Sequence, residues 1–326
     1  MKRRTFITSA IGAIAGAAGC AHAWQPPLHI GAALAFGTTI SISVAHADAQ
    51  LAQRAITEAL DAALAVDRLM SIYHPASQVY QLNRDGVLAR PDARLIEVLT
   101  MAAHLSDISG GAFDVTTQPL WRLYTEAAKA GRLPADAERR RAQALVDWRQ
   151  LEFDADHVRF RRSGMALTLN GLAQGYAADR ALAALQARGV RDALLDTGEF
   201  TARGQKPGRQ PWVLGVRDPR DPEALVTTLN ARGCSVATSG DYECVFTPDY
   251  LHHHIFDPAS GDSPTELASV TVVAPSALQA DGLSTAFMVM GWERAQALAA
   301  QLQAVDVMVV DKRGRSRRTA GFPGHA

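Results

Sequence analysis

Segments with strand periodicity and segments with helix periodicity alternate along nearly the whole chain, and this interleaving limits the folds open to it. Residues 39–44 alternate polar and apolar side chains, with Ile40, Ile42 and Val44 on one face, as in a half-buried strand. Asp48 is then well placed to cap a helix. Because neither a repeat nor a low-complexity linker interrupts the pattern, we expect one α+β (mixed α/β) domain of β-sheets flanked by helices.

The remaining elements follow from the same two periodicities. We expect further helices at about 94–109, 117–147 with a break near Gly131 to Pro134, 174–188 and 277–302. We expect further strands at 151–160, 165–169, 193–196, 211–216, 224–229, 234–238, 269–274 and 307–310. The basic cluster Lys312, Arg313, Arg315, Arg317 and Arg318 is expected to be a solvated terminal hairpin.

Composition excludes several classes of protein. With 48% hydrophobic and 20% charged residues over 326 positions, the chain can bury a core, so it is not disordered, fibrous or a disulfide-stapled mini-protein. The 33 Lys and Arg residues balance 33 Asp and Glu residues, which gives no general attraction to nucleic acid. Function must therefore be sought in a local site.

Residues 1–23 have the pattern of an export signal. Basic residues precede a Gly/Ala-rich apolar run, and Ala21-His22-Ala23 is an A-x-A cleavage pattern. Arg3-Arg4 followed by Thr-Phe-Ile resembles a twin-arginine signal, the route for proteins exported already folded, and an ordinary Sec signal is the alternative. The run is too short to span a membrane. Residues 24–326 are therefore expected to form a periplasmic domain without a transmembrane span.

The three cysteines leave two questions open. Cys20 is removed under this interpretation, although Ala-Ala-Gly before it also forms an imperfect lipidation site, so a lipid anchor is the alternative. Cys234 and Cys244 lie symmetrically about Ser239 in a stretch that suggests a strand, a turn and a strand. They are either a disulfide across a hairpin or two buried thiols.

The most informative polar stretch is Ala280-Asp-Gly-Leu-Ser-Thr285. On a helix, Asp281 and Thr285 lie one turn apart on the same face, so both oxygens can meet one hard cation. The Ser284 carbonyl adds a third oxygen if the helix is distorted there. Taken alone, the pattern equally suits Asp281 as a helix N-cap.

A second stretch, residues 167–179, turns through glycines from a predicted strand straight into a helix. Unpaired N–H groups at such a helix start attract phosphate, and Gly171 and Gly175 allow a ligand close to the backbone. The spacing is neither that of a Walker loop nor that of a Rossmann fingerprint. The alternative is a tight turn with close packing of the helix on the sheet.

Three more stretches carry candidate groups. His252-His253-His254 follows Thr238-Ser-Gly-Asp-Tyr242, and one of these histidines is a candidate general base; adjacent residues of an extended segment rarely share one metal ion. Residues 109–116 form a glycine turn with Phe113, and residues 71–77 offer Tyr73 for stacking on a planar ring. Ordinary packing is the alternative for both aromatic residues.

Taken in their order along the chain, these five stretches resemble the ApbE family of FAD:protein FMN transferases. The resemblance runs from about Ala33 to Val310. It rests on Phe36-Gly-Thr38, Ser109-Gly-Gly-Ala-Phe-Asp114, Gly171-Leu-Ala-Gln-Gly-Tyr-Ala-Ala-Asp179, Ala237-Thr-Ser-Gly-Asp-Tyr242, His254-Ile-Phe-Asp-Pro258 and Ala280-Asp-Gly-Leu-Ser-Thr285.

The resemblance implies a periplasmic or lipid-anchored enzyme that uses Mg²⁺ to split FAD. It implies that FMN is attached through a phosphoester to a Thr or Ser of an acceptor flavoprotein, with release of AMP. By position, magnesium is assigned to the Gly171 carbonyl, Asp281, the Ser284 carbonyl and Thr285, and the catalytic base to His254. FAD is assigned to Phe36, Tyr73, Ala112, Phe113, Asp114, Thr168, Gln174 and Ile255.

The chain departs from the family pattern at four places. The family usually has Met where Phe36 stands, Asp where Thr168 stands, and Lys or Glu where Gln174 stands. It usually has a paired-glycine motif in place of Asp196-Thr-Gly-Glu199. The loss of charge at Thr168 and Gln174 is expected to alter how FAD is held. The combination of Asn170-Gly-Leu-Ala-Gln-Gly175 with Asp196-Thr-Gly-Glu199, behind a twin-arginine-like signal, resembles the NosX branch. That branch serves nitrous-oxide respiration (denitrification) by flavinylating the membrane-bound electron-transfer protein NosR.

Two other functions use the same residues. One is an FAD-binding or delivery protein without transferase activity. The other is a Mg²⁺-dependent FAD pyrophosphatase, in which water replaces the acceptor hydroxyl and the products are AMP and FMN.

Overall fold

The alternating segment at 39–44 is strand β2 (Thr38–Ala45) of the computed structural model, which describes residues 25–325. Its side chains Ile40, Ile42 and Val44 are completely buried, as the alternation predicts. The predicted export signal at 1–23, with Cys20, lies outside the described residues.

Helices and strands alternate along these residues, in agreement with the predicted α+β class. The helices are α1 Ala49–Met70, α2 Gln78–Asp85, α3 Ala93–Ile108, α4 Gln118–Lys129, α5 Asp136–Gln143, α6 Ala173–Ala187, α7 Ala277–Met290 and α8 Trp292–Ala299. The strands are β1 Leu28–Ala35, β2 Thr38–Ala45, β3 Val87–Ala89, β4 Leu151–Phe153, β5 His157–Phe160, β6 Ala193–Asp196, β7 Phe200–Arg203, β8 Trp212–Arg217, β9 Leu225–Ala231, β10 Ser235–Gly240, β11 Leu267–Ala274, β12 Asp306–Asp311, β13 Ser316–Arg318 and β14 Gly324–His325.

An 8-stranded antiparallel sheet organises the molecule. Its strand order is β1-β2-β6-β7-β10-β11-β12-β13, so the N-terminal and C-terminal strands meet at the β7–β10 pair. Two 3-stranded sheets, β14-β9-β8 and β3-β5-β4, lie beside it. Because β10 and β11 are central and pair along their length, they give the helix packed on them a rigid base.

Helices α1, α6 and α7 cover the large sheet. Helix α6 packs against α1 and α7, and α7 also packs against β10 and β11. Helix α7 is buried on nearly every side, which explains its run of apolar residues without a polar face. Two of the polar residues of α7, Asp281 and Ser284, are therefore placed in the interior.

The predicted strand at 165–169 is wrong, because a side chain takes the place of a neighbouring strand. Asn83 donates to the Leu167 carbonyl at 2.8 Å and accepts from the Leu167 N–H at 2.7 Å. The Thr168 N–H donates to the Val115 carbonyl at 2.8 Å. The segment is extended and hydrogen-bonded without belonging to a sheet.

Two predicted elements are each divided in two. The helix expected at 277–302 breaks at Gly291, whose φ of 73° favours glycine, and continues as α8. The strand expected at 151–160 is a hairpin, since the Asp154 carboxylate accepts from the N–H groups of Asp156 and His157 and makes the turn. The break predicted near Gly131 to Pro134 does separate α4 from α5.

The structure decides between the two alternatives for the cysteines and confirms most of the prediction for the basic cluster. Cys234 and Cys244 are free thiols, because Ser239 lies within strand β10 and no hairpin places the two opposite each other. The basic cluster belongs to the β12–β13 hairpin, and its four arginines are exposed as predicted. Lys312 is the exception, since its ammonium group lies 2.7 Å from the buried carboxylate of Asp241. Among the described residues, no helix is both long and apolar enough to cross a membrane.

Candidate functional site

The glycine turn before α6 and the polar stretch of α7 lie in direct contact. A Cβ on Gly171 would lie 2.9 Å from the Thr285 hydroxyl oxygen and 3.6 Å from a ring carbon of Phe113. The Gly175 N–H donates to the Asp281 carboxylate at 3.0 Å, across a separation of 106 residues. The two segments on which the metal assignment depends therefore form one site.

Gly175 is required for this contact. A Cβ there would lie 2.3 Å from the Ala277 carbonyl oxygen and 2.8 Å from the Asp281 Cβ, so only glycine lets α6 approach α7 this closely. The Asp179 carboxylate, one turn further along α6, accepts from the N–H groups of Ala277 and Leu278, both at 2.9 Å. Helix α6 thus holds both the start of α7 and its acidic residue.

Asp281 is an interior residue of α7, and the N-cap interpretation is wrong, because Ser276 occupies the cap. Its side chain is almost completely buried, and burial raises its pKa from 3.8 to about 7, with the nearby Asp179 carboxylate adding to the rise. Its carboxylate accepts the Gly175 N–H at 3.0 Å. A buried carboxylate in this state favours an added cation.

Glu199 is a second buried carboxyl group near this site. Burial, followed by repulsion from Asp281, raises its pKa well above the usual range. One of its oxygens accepts from the Thr238 N–H at 3.2 Å. Asp281 therefore lies near two further carboxyl groups, those of Asp179 and Glu199.

Gln174, assigned to FAD by position, is bound to Thr197 by a reciprocal pair of hydrogen bonds. The Gln174 side-chain amide donates to the Thr197 carbonyl, and the Thr197 hydroxyl donates to the Gln174 carbonyl, both at 2.9 Å. Gly198 beside them has a φ of 101°, and a Cβ on it would lie 2.0 Å from the Gln174 amide nitrogen. This contact holds the β6–β7 turn against the start of α6.

Three of the predicted flavin residues belong to the glycine turn after α3. Ala112 and Phe113 are buried, and Phe113 is fixed by a hydrogen bond from its N–H to the Ser109 hydroxyl. Asp114 accepts from the N–H and hydroxyl of Thr116 and from the Trp148 N–H, and burial raises the pKa of its carboxyl group. Phe113 is the member of this group that reaches Gly171.

The other predicted flavin residues lie on separate loops. Phe36 stands in the β1–β2 turn with a φ of 53°, and Tyr73 follows α1 with 70% of its surface exposed. The Thr168 hydroxyl accepts from the Asn170 N–H at 3.3 Å, immediately before Gly171. Ile255 is buried in the segment between β10 and β11. Their contact with FAD stays a prediction.

The three adjacent histidines have separate partners. His252 is hydrogen-bonded to Asp262 at 2.8 Å, and buried His253 to the Pro264 carbonyl at 3.2 Å. His254 donates its backbone N–H to the Cys244 carbonyl, and its ring lies 6.3 Å from that of His253. Within residues 25–325 no group of three or more His, Cys, Asp or Glu side chains is placed to hold a metal ion. The role of His254 as a base stays a prediction.

The donors that converge at Gly171 and α7 nevertheless fit magnesium. They are oxygen atoms, and Mg²⁺ in proteins is commonly bound by one or two carboxylates while phosphates of the substrate complete its shell. Asp281 supplies the carboxylate, and the missing Cβ of Gly171 leaves room beside the Thr285 hydroxyl. The expected distortion at Ser284 is not seen, since α7 is continuous there.

Sequence reasoning missed several residues of this site. Ser239 and Glu199 belong to the motifs at 237–242 and 196–199. The spacing within these motifs does not indicate that the two side chains lie near α7. Asp179 belongs to the glycine motif, but the sequence does not show that it caps α7. The N–H groups that it accepts from, those of Ala277 and Leu278, lie 98 and 99 residues further along the sequence. A separate groove of about 570 Å³ lies along α3 and is lined by Ile96, Met101 and Leu278 among others. None of the predicted site residues lines it, so it is not part of the candidate site.

The fold and the site define a class: an α+β protein in which oxygen donors that fit a divalent cation lie beside the glycine-rich start of a helix. The N–H groups expected to be unpaired for phosphate at this start are largely used, since those of Leu172 and Ala173 donate to the Leu169 carbonyl and that of Gly175 to Asp281. Comparison with known proteins agrees with that class. Residues 36–309 match the model of the ApbE family, and the chain belongs to this family.

Relatives and solved structures cover most of the chain. The FAD:protein FMN transferase of Treponema pallidum is 33% identical over 252 residues, which is 71% of this chain and 69% of the relative. That of Salmonella typhimurium is 29% identical over 296 residues, covering 87% and 84%. The flavinyl transferase ApbE of Pseudomonas stutzeri superposes with a TM-score of 0.78 at 31% identity, covering 92% and 97%. The ApbE protein of Thermotoga maritima gives a TM-score of 0.81 at 27% identity, covering 91% and 98%.

Proposed function

We propose that this protein is an FAD:protein FMN transferase that depends on Mg²⁺. The observation that carries the proposal is the convergence of Gly171, Asp281 and Thr285, because it places an oxygen-lined cation site against the glycine-rich start of α6. The relatives that carry this name cover most of the chain. Membership in the ApbE family supports the same activity.

In the proposed reaction, a Thr or Ser hydroxyl of an acceptor flavoprotein attacks the phosphorus on the FMN side of FAD. An oxygen–phosphorus bond forms, the phosphoanhydride bond breaks, and AMP leaves with the bridging oxygen. The acceptor proton passes to His254 in the proposed assignment. Because the transferred group needs little covalent help, the protein contributes mainly position and charge stabilisation.

The chain's own groups would hold both ligands. The Gly171 carbonyl and the side chains of Asp281 and Thr285 would bind Mg²⁺, which supplies charge neutralisation for the diphosphate and the leaving AMP. The Ser284 carbonyl would join them only on a local distortion of α7, which is continuous in this structure. The flavin nucleotide would lie against the turn of Ala112 to Asp114 and against Phe36, Tyr73, Thr168, Gln174 and Ile255. Phe113 links the two sets, because it lies beside Gly171.

The direct test is covalent labelling. Purified protein is incubated with FAD, Mg²⁺ and an acceptor fragment that carries a target Thr, and the acceptor is examined for flavin fluorescence on a denaturing gel and for an added FMN by mass spectrometry. We expect labelling together with one AMP per FMN attached. Tight FAD binding without AMP release would indicate a delivery protein instead, and AMP with free FMN in the absence of acceptor would indicate a pyrophosphatase.

We also propose the NosX branch, with a NosR-like acceptor in nitrous-oxide respiration, and a periplasmic location reached through the twin-arginine route. The motifs Asn170-Gly-Leu-Ala-Gln-Gly175 and Asp196-Thr-Gly-Glu199 support the branch, and residues 1–23 support the route. Replacing Arg3 and Arg4 by Lys should retain the protein in the cytoplasm, as judged by cell fractionation. Transfer of FMN to a NosR fragment, but not to an unrelated acceptor, would support the branch.

A further inference from the structure

Three hydroxyl groups form a chain between strand β10 and helix α7. The Ser239 hydroxyl oxygen lies 2.7 Å from that of Ser284 and 3.2 Å from that of Thr285. The Ser284 hydroxyl in turn lies 2.8 Å from the backbone carbonyl of Asp281. Ser239 is therefore the only link in this chain that comes from outside α7.

Each hydroxyl group has one proton, and this fixes the donor and the acceptor of every hydrogen bond between the three hydroxyls. A carbonyl oxygen only accepts, so Ser284 donates its proton to the Asp281 carbonyl. Each hydroxyl has one proton, so Ser239 must be the donor to Ser284. The Ser239 proton is then used, and Ser239 can only accept from Thr285.

The result is a fixed orientation of the Thr285 hydroxyl. Its proton is directed to Ser239, so both lone pairs of its oxygen are turned to other directions. Space beside that oxygen is kept open by Gly171, since a Cβ on Gly171 would lie 2.9 Å from it. A hydroxyl with its proton turned away and open space beside it is prepared to ligate a cation.

We propose that Ser239 is a positioning residue that accepts the Thr285 proton and so orients the Thr285 oxygen as a cation ligand. The inference rests on the proposed function, because it concerns the same cation site. Ser239 does not itself contact the cation in this arrangement. Its loss leaves the Thr285 hydroxyl free to rotate, which weakens cation binding without removing a ligand.

The test is direct binding of Mn²⁺ in the absence of FAD, measured from the free Mn²⁺ signal in electron paramagnetic resonance. Ser239→Ala should bind Mn²⁺ about tenfold more weakly than the wild type. Ser239→Thr retains the hydroxyl on a residue that strands accept well, and should restore most of the affinity.

Ser235→Ala is the matched control. Ser235 lies on the same strand, and its hydroxyl also bonds a hydroxyl, that of Thr201 at 2.9 Å. It should lower the unfolding temperature about as much as Ser239→Ala but leave the Mn²⁺ affinity unchanged. Equal weakening by both alanine variants would show a merely structural role for Ser239 and would overturn the inference.

The two levels of the hypothesis can fail separately. If the wild type binds Mn²⁺ and Ser239→Ala binds it equally well, only the inference about Ser239 is wrong. If the wild type neither binds Mn²⁺ nor transfers FMN to an acceptor in a parallel assay, the proposed function fails.

Discussion

Two aspartates of this protein are buried to the same degree but in opposite electrostatic surroundings. Asp241 is completely buried and is held by two hydrogen bonds from Arg220, at 2.7 and 2.8 Å, and by Lys312 at 2.7 Å. Asp281 is 4% exposed, accepts the Gly175 N–H, and has the carboxyl groups of Asp179 and Glu199 in its vicinity.

The comparison distinguishes Asp241, whose charge has a structural role, from Asp281, whose charge is available for the proposed cation. Burying a carboxylate costs several kcal/mol unless a partner compensates it. The fold supplies that partner to Asp241 from two distant segments, whereas it surrounds Asp281 with more negative charge. Asp281 is therefore costly to ionise in the absence of a bound cation.

Asp281→Asn should have the largest effect. Loss of the carboxylate ligand removes several kcal/mol of charge stabilisation, so FMN transfer should fall by about a thousandfold or more. The measurement is the initial rate of AMP release with saturating acceptor. A variant that transfers FMN at the wild-type rate would contradict the metal assignment.

The same variant should fold at least as well as the wild type without metal. Because burial raises the pKa of Asp281 to about 7, this carboxyl group favours the folded state while protonated, and its contribution is lost as the pH rises through about 7. At pH 8 the Asn variant should thus unfold at an equal or higher temperature. Added Mg²⁺ should stabilise the wild type alone.

Asp241→Asn should show the reverse pattern. It leaves Arg220 and Lys312 without their buried partner, so the free energy of unfolding in urea should fall by about 3–5 kcal/mol. The stabilisation of the remaining folded protein by Mg²⁺ should persist. Asp85→Asn, in an exposed pair with Arg84, is the control and should leave the free energy of unfolding nearly unchanged.

Lowering the pH should reduce the free energy of unfolding through protonation of His253, which interacts electrostatically with Lys312 and Asp241. Burial, and then the charge of Lys312, lowers the pKa of His253 to about 4. A histidine with a lowered pKa stabilises the fold fully above about pH 6.5, and this contribution, on the order of 3 kcal/mol, is lost as the pH falls toward 4.

Urea unfolding at pH 7, 6 and 5 measures that loss. His253→Gln keeps a donor for the Pro264 carbonyl but does not titrate, so its stability should fall less over this range than that of the wild type. Parallel curves for the two proteins would show that His253 is not held neutral by its surroundings.

Thr197→Val should have the smallest effect. It removes the hydroxyl that donates to the Gln174 carbonyl and keeps the shape of the side chain, so the expected cost is about 1 kcal/mol in urea unfolding. Thr57→Val removes an exposed hydroxyl on α1 and should change stability by less than about 0.5 kcal/mol. Equal effects would show that the Gln174–Thr197 contact adds nothing.

The sequence predicted those parts of the site that depend on short-range geometry. Asp281 and Thr285 lie one turn apart on a helix wherever that helix packs, so their pairing was visible from spacing alone. The N-cap role of Asp48 was predicted and confirmed for the same reason. The glycines of the α6 turn could also be recognised, because their residue type indicates close approach.

Contacts between distant segments could not be predicted in this way. No periodicity places Ser239 opposite Ser284, or Lys312 beside Asp241, since both depend on the order of strands in the sheet. The strand expected at 165–169 failed because Asn83 replaced a neighbouring strand, and a single side chain leaves no mark on the hydrophobic pattern.

The central β7–β10 pair joins the two halves of the sheet, and the residues around Asp281 come from both sides of that junction. Gly171 and Glu199 precede β10 in the chain, whereas Asp281 and Thr285 follow it by some forty residues. A nascent chain that stops before α7 therefore lacks Asp281 and Thr285, two of the groups proposed to bind the cation. If the proposed cation binding is correct, metal uptake would therefore require α7 to be packed against the start of α6.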